Sequence, residues 1–236
     1  MSSSSQRLDR FLSRSLSINR RDVKPLLAQG RILVDQQPVI GVQQLVDAFS
    51  HIVFDGRVLQ SRLPVYLMLH KPVGILSATS DPQHPTVVDL LQREDKTDLH
   101  IVGRLDLGSS GLVLLTNDGR WSRAVMAPER NVAKVYLVTV ANPLTPNYVE
   151  AFAKGMYFGY EDITTRPATL EILAERLARV TLVEGRYHQI KRMFGRFRNP
   201  VLGLHRIAIG TLSLDAALAT GQSRDLTPAE LRGIQG

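Results

Sequence analysis

The chain has 236 residues, 44% of them hydrophobic, a formal charge of +7 and no cysteine. Such a composition excludes a disordered polymer and leaves room for one ample core, or for a small module beside a larger domain. A sequence pI near 10.0 favours a polyanionic partner, nucleic acid first, while the missing cysteine removes disulfides, thiolate zinc sites and cysteine nucleophiles together and suits a reducing cytoplasm.

The N-terminus is rich in Ser and Arg, a composition shared with organelle transit peptides. Asp9 and Asp22 interrupt it, and Leu8, Phe11, Leu12 and Leu16 recur at helical spacing, so it reads as the first amphipathic helix of a folded module. No window approaches about 18 uninterrupted apolar residues, so no membrane span is expected. After a break between Leu16 and Asn19 comes a second helix, whose start Pro25 leaves open. Gly30 sits where a C-terminal cap belongs, and Arg31-Ile-Leu-Val34 runs into the polar turn Asp35-Gln36-Gln37. Basic residues outnumber acidic ones in this stretch, and Arg10, Arg14, Arg20, Arg21 and Lys24 would cluster on helical surface, suited to phosphate contacts or simply solvated.

Ser61-Arg62-Leu63-Pro64 is a polar, proline-terminated linker, which places one domain at 1–61 and a second at 62–236. Strand candidates in the second are 66–70, 111–115, 134–140, 168–173 and 180–183. Thr145-Pro146 opens a helix that Gly155 closes, and Thr227-Pro-Ala-Glu230 has capping-box spacing with proline in the first turn. Strands dominate, so the fold class is α+β, with a mixed, largely antiparallel sheet.

The densest run is Gly103-Arg-Leu-Asp-Leu-Gly-Ser-Ser-Gly-Leu-Val-Leu-Leu-Thr-Asn-Asp-Gly119, a tight loop before an apolar strand. Functional groups are often carried on such loops, although a turn capped by Asp106 is the plainer reading of the local pattern. No lysine follows as a phosphate-binding loop requires, no dinucleotide fingerprint follows a strand, and the six histidines lack metal-ligand spacing. The other informative run is Glu184-Gly-Arg-Tyr-His-Gln-Ile-Lys-Arg-Met-Phe194. If residues 188–194 are helical, His188 and Lys191 share one face and offer a cation to a carboxylate; a solvated or RNA-touching basic helix is the bland alternative.

In order along the chain, Gly103-Arg-Leu-Asp106, Lys134-Val-Tyr136 and Arg186-Tyr-His-Gln-Ile-Lys191 resemble the motifs of the pseudouridine synthases. Together with Leu69-His-Lys-Pro-Val-Gly74, Asp81-Pro-Gln-His-Pro-Thr86 and Leu204-His-Arg206, they resemble most closely the bacterial small-subunit branch, which acts on uridine 516 of 16S rRNA. Arg7-Leu-Asp-Arg-Phe-Leu12 and Gly30-Arg-Ile-Leu-Val-Asp35 resemble an S4 RNA-binding domain. The resemblance spans nearly the whole chain and implies a pseudouridine synthase fold behind an S4-like module. It also implies a cofactor-free and metal-free isomerisation of a ribosomal uridine, in a monomer that acts on rRNA or an assembly intermediate.

By that resemblance Asp106 is the nucleophile, attacking C1′, adding to the uracil ring at C6, or acting as base in a glycal route. Lys191 is its cationic partner where many relatives carry arginine, with Arg192 or Arg186 as substitutes, and Tyr136 stacks on the base. Arg104 takes the place of the extruded nucleotide, and Arg186, His188, Gln189 and Arg192 join it in binding substrate. A carboxylate nucleophile must stay ionised where water is excluded, and a nearby cation favours that state. Three other readings remain: a large-subunit synthase of the same family, a non-catalytic S4-type assembly factor, and a nucleoside hydrolase pairing Asp106 with Asp118.

Overall fold

A computed structural model describes residues 5–39, 41–96 and 98–235. They fall into two compact units, Met1–Pro64 with Asp118–Arg120, and Val65–Asn117 with Trp121–Gly236. Among the described residues no helix is long and apolar enough to cross a membrane.

In the first unit β1 (Gln6–Arg7) leads into helix α1 (Leu8–Leu16), a 3-10 turn at Arg20–Asp22 and helix α2 (Val23–Ala28). Pro25 is the third residue of α2, inside the first turn, where a missing N–H forfeits no helical bond; this fixes the helix start that the sequence left open. The strands β2 (Ile32–Val34), β3 (Gln37–Pro38), β4 (Leu45–Val46), β5 (Ile52–Phe54) and β6 (Arg57–Gln60) follow. β4 pairs β1, and the others form a four-stranded sheet in the order β3-β2-β5-β6. Left-handed Asp35 and Gln36 make the tight β2–β3 turn, and Asp55-Gly56 makes the next one. Leu8, Leu12, Val23, Ile32, Val34, Val46 and Ile52 form the core.

Arg10, Arg14, Arg20, Arg21 and Lys24 are all exposed on α1, the 3-10 turn and α2. Their charges are not equally available. Arg20 lies 3.3 Å from the nearly buried Asp9, which also holds Arg7 at 2.8 Å, and Arg21 approaches Asp22 at 3.8 Å. Hydrogen bonding from Arg7 keeps the Asp9 carboxyl below the usual carboxylate range, with Arg20 adding its charge.

The second unit is built on one mixed sheet. Its strands are β7 (Tyr66–Lys71), β8 (His100–Val102), β9 (Ser110–Thr116), β10 (Lys134–Val140), β13 (Thr169–Ala174), β14 (Leu177–Leu182), β15 (Val201–Ile209), β16 (Leu212–Ser213) and β17 (Ser223–Asp225). The spatial order is β13-β14-β10-β15-β9-β7-β17, with β8 on β9 and β16 on β15; β11 (Tyr157–Phe158) and β12 (Ile163–Thr164) form a separate hairpin. All pairings in the large sheet are antiparallel except β9 with β15. Helices α3 (Gly119–Met126), α4 (Pro146–Lys154), α5 (Gln189–Gly195) and α6 (Pro228–Gln235) complete the chain.

β9 is buried from Gly111 onward, which is why its sequence is continuously apolar rather than alternating. One core packs Val113 and Leu115 of β9 with Tyr136 and Val138 of β10, Phe152 of α4 and Phe194 of α5; the other packs Leu112 and Leu114 with Trp121, Ile209 and Ile234. The capping box of α6 closes in both directions, Thr227 N to Glu230 Oε2 at 2.7 Å and Glu230 N to Thr227 Oγ1 at 3.3 Å. Besides the short strands β8, β11, β12, β16 and β17, the sequence pattern misses α3 and β15. The latter is nine residues long and lies between β9 and β10.

Candidate active site

The loop 103–109 enters β9, and two buried cations on the strands flanking β9 hold its backbone. From β7, Lys71, with no exposed surface, donates to Ser109 O at 2.7 Å, Pro72 O at 3.0 Å and Asp106 O at 3.2 Å. From β15, Arg206, 1% exposed, donates to Leu112 O at 2.8 Å, Gly103 O at 3.1 Å and Arg104 O at 3.4 Å. Burial pushes the Lys71 ammonium down to about 8, with Asp106 pulling the other way and Arg206 adding repulsion. Ser77 Oγ clamps Leu105 through both its N–H (3.0 Å) and its carbonyl (2.8 Å), and Gly74 N donates to Leu107 O at 2.9 Å. A loop tied at so many points presents its side chain at Asp106 in one place.

Gly111 makes the β9–β15 crossing possible. Its φ is +108°, and a Cβ there would lie 2.2 Å from the Arg206 carbonyl oxygen. Gly103 also has a positive φ, 78°, whereas at Gly108 nothing stands within 4 Å of a Cβ.

The carboxylate of Asp106, 31% exposed, faces α5. Lys191 Nζ lies 3.2 Å and His188 Nε2 3.5 Å from its Oδ2. The sequence placed His188 and Lys191 on one helical face; α5 instead starts at Gln189, and His188 precedes it in the left-handed region with φ 49°. The imidazole still reaches Asp106, by a turn of the backbone rather than by helical periodicity. His188 also stacks on Tyr187, which is 75% exposed, with ring centroids 3.9 Å apart.

Arg104, Asp106, Tyr136, Arg186, His188 and Gln189 line one pocket, a void of about 470 Å³ open to solvent, with Leu105, Leu182, Ile190 and Leu204 on its apolar walls. Tyr136 is 8% exposed, so its ring is both part of the core and part of the pocket wall. Arg104 is exposed at the rim. Gln189 is buried and its amide is engaged with the chain itself, donating to Glu184 Oε1 at 2.6 Å and accepting from Arg186 N at 3.0 Å. Arg192 lies outside this group. It forms a bidentate pair with Glu161 at 2.5 and 2.6 Å and sits 3.8 Å over the Phe158 ring.

Lys71, Arg206, Ser77 and Glu184 were not singled out from the sequence. The available signal was a lone cation inside an apolar strand, at Lys71 in Tyr66–Lys71 and at Arg206 in Val201–Ile209. A buried lysine or arginine is rare unless its donors are satisfied, and here backbone carbonyls satisfy them.

The sheet and this aspartate-centred pocket define an α+β enzyme domain, and comparison with known proteins gives its class. The family model for RNA pseudouridylate synthase matches residues 65–195. A protein of Pseudomonas aeruginosa described as ribosomal small subunit pseudouridine synthase A is 50% identical over 229 residues, covering 97% of this chain and 100% of the relative. The Escherichia coli K12 protein of the same description is 40% identical over 229 residues, 97% and 99% of the two chains. A crystal structure described as a pseudouridylate synthase superposes with a TM-score of 0.71 at 36% identity, covering 98% of this chain and all of the other. The chain belongs to the RNA pseudouridylate synthase family and is an isomerase that makes pseudouridine.

Proposed function

We propose that this protein converts uridine 516 of 16S rRNA in the small ribosomal subunit to pseudouridine, working in the cytoplasm as a monomer with neither cofactor nor metal. In this reading residues 62–236 form the catalytic domain and 1–61 form an S4-like RNA-binding module. Arg10, Arg14, Arg20, Arg21 and Lys24 of that module contact phosphate. The observation that carries the reading is the Asp106 carboxylate, set in a pocket with Tyr136 and 3.2 Å from the Lys191 ammonium, on a loop braced from both neighbouring strands. Identity of 50% along the whole length of a relative described as a small-subunit enzyme supports the choice of substrate.

The reaction breaks N1–C1′, rotates the uracil and joins C5 to C1′; the C5 proton is lost and N1 gains one, so no atoms are added or removed. The uridine must first leave its stack, at a cost of a few kcal/mol, since a stacked base hides C1′ and C5. Arg104 at the rim fills the vacated space. Asp106 then acts at C1′, at C6, or as base in a glycal route, with Lys191 as its charge partner and Tyr136 against the base. At C1′ the carboxylate would trap a cation-like sugar carbon, as in retaining glycosidases; at C6 it would add to the uracil ring; and in the glycal route it would take the proton on C2′. Arg186 and His188 bind the nucleotide directly, whereas Gln189 acts by fixing Glu184 and the Arg186 backbone. Arg192 contributes to RNA binding at the edge of the site, beside Glu161.

Mapping pseudouridine across both rRNAs in cells lacking the protein tests the target. Loss at uridine 516 alone is expected. Loss at a large-subunit position instead, or no loss in either RNA, would refute this assignment.

A further inference from the structure

A second pocket adjoins the Asp106 pocket and shares Gly185 and Arg186 with it. Three cations line it, Lys134, Arg166 and Arg186, together with one carboxylate, Glu184. That carboxylate is spent: it accepts from Gln189 Nε2 at 2.6 Å, Arg166 N at 2.9 Å and Arg186 Nε at 3.1 Å. Arg186 is therefore charge-matched, but Lys134 and the Arg166 guanidinium are not. Lys134 Nζ donates to Val132 O at 3.0 Å, and Arg166 donates to Pro128 O at 3.3 Å and to Asn131 Oδ1. Neutral oxygens thus hold both, and among the described residues neither has a carboxylate partner. Lys134 is half-buried, and burial with repulsion from Arg206 pushes its ammonium below the usual lysine range. A desolvated cation without a counter-charge is costly, and an anion bound beside it would offset the cost.

Position along the sheet points to which anion. Lys134 precedes Tyr136 by two residues on β10, so the two side chains leave the same face about 6.7 Å apart. Tyr136 lines the Asp106 pocket and Lys134 the adjoining one, and Met126, Ala127, Pro128 and Val183 give the latter an apolar wall.

We propose that this second pocket is a subsite for a nucleotide next to the target uridine, with Lys134 and Arg166 holding its phosphodiester and the Met126–Pro128 wall covering its sugar or base. The subsite rests on the reading of the Asp106 pocket as the uridine site. RNA backbone suits the site because it supplies one anion per nucleotide at a repeating distance, flanked by flat bases whose faces stack on apolar surface.

The test uses the full chain and a synthetic RNA spanning uridine 516 of 16S rRNA. Affinity is measured across a salt series for wild type, Arg166→Gln and Lys134→Gln/Arg166→Gln. Neutralising one phosphate contact should make the slope of log affinity against log salt shallower by roughly 0.7 to 0.9. Arg179→Gln, whose guanidinium pairs with Glu171 at 2.6 Å, is the control and should leave the slope unchanged. Replacing phosphates around the target one at a time with neutral methylphosphonate should find one position that weakens wild type about tenfold and the double variant hardly at all. An unchanged slope in both variants, or equal methylphosphonate losses in wild type and double variant, would overturn the subsite. Arg166 is exposed, so its single variant keeps the result readable if the double variant folds poorly. Because the readout is binding, absence of turnover by wild type would count against the uridine assignment and not against the subsite.

Discussion

Arg206→Met removes a buried guanidinium and nearly preserves its volume. Three carbonyls lose a donor, and they are not equivalent: Leu112 O, at 2.8 Å, lies in the interior, whereas Gly103 O and Arg104 O, at 3.1 and 3.4 Å, belong to a loop that water can reach. A stranded interior acceptor costs about 1–3 kcal/mol and each lost bond to a charged donor about 1.5–3, while relief of an unpaired buried charge works in the opposite direction. The net expectation is a loss of about 2–4 kcal/mol. The single tryptophan, Trp121, packs with Leu112 and Ile209 and is 2% exposed, so its fluorescence in a urea titration reports this region. The loop carrying Asp106 would shift with it, and a displacement of about 1 Å at a reacting group lowers kcat about a hundredfold. Arg206→Lys should recover only part of the loss, because a compact ammonium on a shorter reach cannot span three carbonyls. Unfolding within about 0.5 kcal/mol of wild type, with turnover intact, would refute the bracing role of Arg206.

Two further outcomes follow from the same strands. Gly111→Ala would place a methyl 2.2 Å from the Arg206 carbonyl oxygen at a φ of +108° and should cost at least about 3 kcal/mol, whereas Gly108→Ala, with nothing within 4 Å, should stay within about 0.5 kcal/mol; equal urea midpoints for the two would contradict the crossing geometry. Lys71 has a folded-state value of about 8 against an ordinary 10.5, so between those values the unfolded chain binds more protons at this position than the folded one. Its contribution to unfolding free energy therefore rises with pH across that window, by no more than about 1.4 kcal/mol per unit. Lys71→Met should flatten the wild-type curve there, and parallel curves would exclude Lys71 as the titrating group.

Legibility in the sequence followed burial. β9 was readable because both its sides face apolar layers, β10 because Tyr136, Val138 and Val140 alternate into the core, and α6 because Thr227 and Glu230 stand at the spacing that lets each bond the other. β15 was not, because Gly203, His205 and Arg206 break its apolar run for tertiary reasons: Arg206 turns inward to hold a loop about a hundred residues earlier, and His205 meets Ser110 Oγ at 2.9 Å. α3 begins at Gly119, the last residue of the Asp106 run, and its few buried positions, Trp121, Ser122 and Val125, give a faint helical signal. At the site, the order of Asp106, Tyr136 and Lys191 was legible as a motif. The left-handed turn at His188 was not, since a positive φ at a residue other than glycine is uncommon and leaves no mark in composition. The buried cations that fix the loop lie in the runs 69–74 and 204–206 that carry the resemblance, but their bracing role shows in the sequence only as an exception to an apolar pattern.

The central claim is that the Asp106 carboxylate performs the chemistry, and Asp106→Asn tests it most directly, because the amide keeps the side-chain shape and removes the charge facing Lys191 and His188. With 16S rRNA as substrate, the variant should bind RNA as wild type does and form no pseudouridine; substantial pseudouridine formation by the asparagine variant would contradict the account.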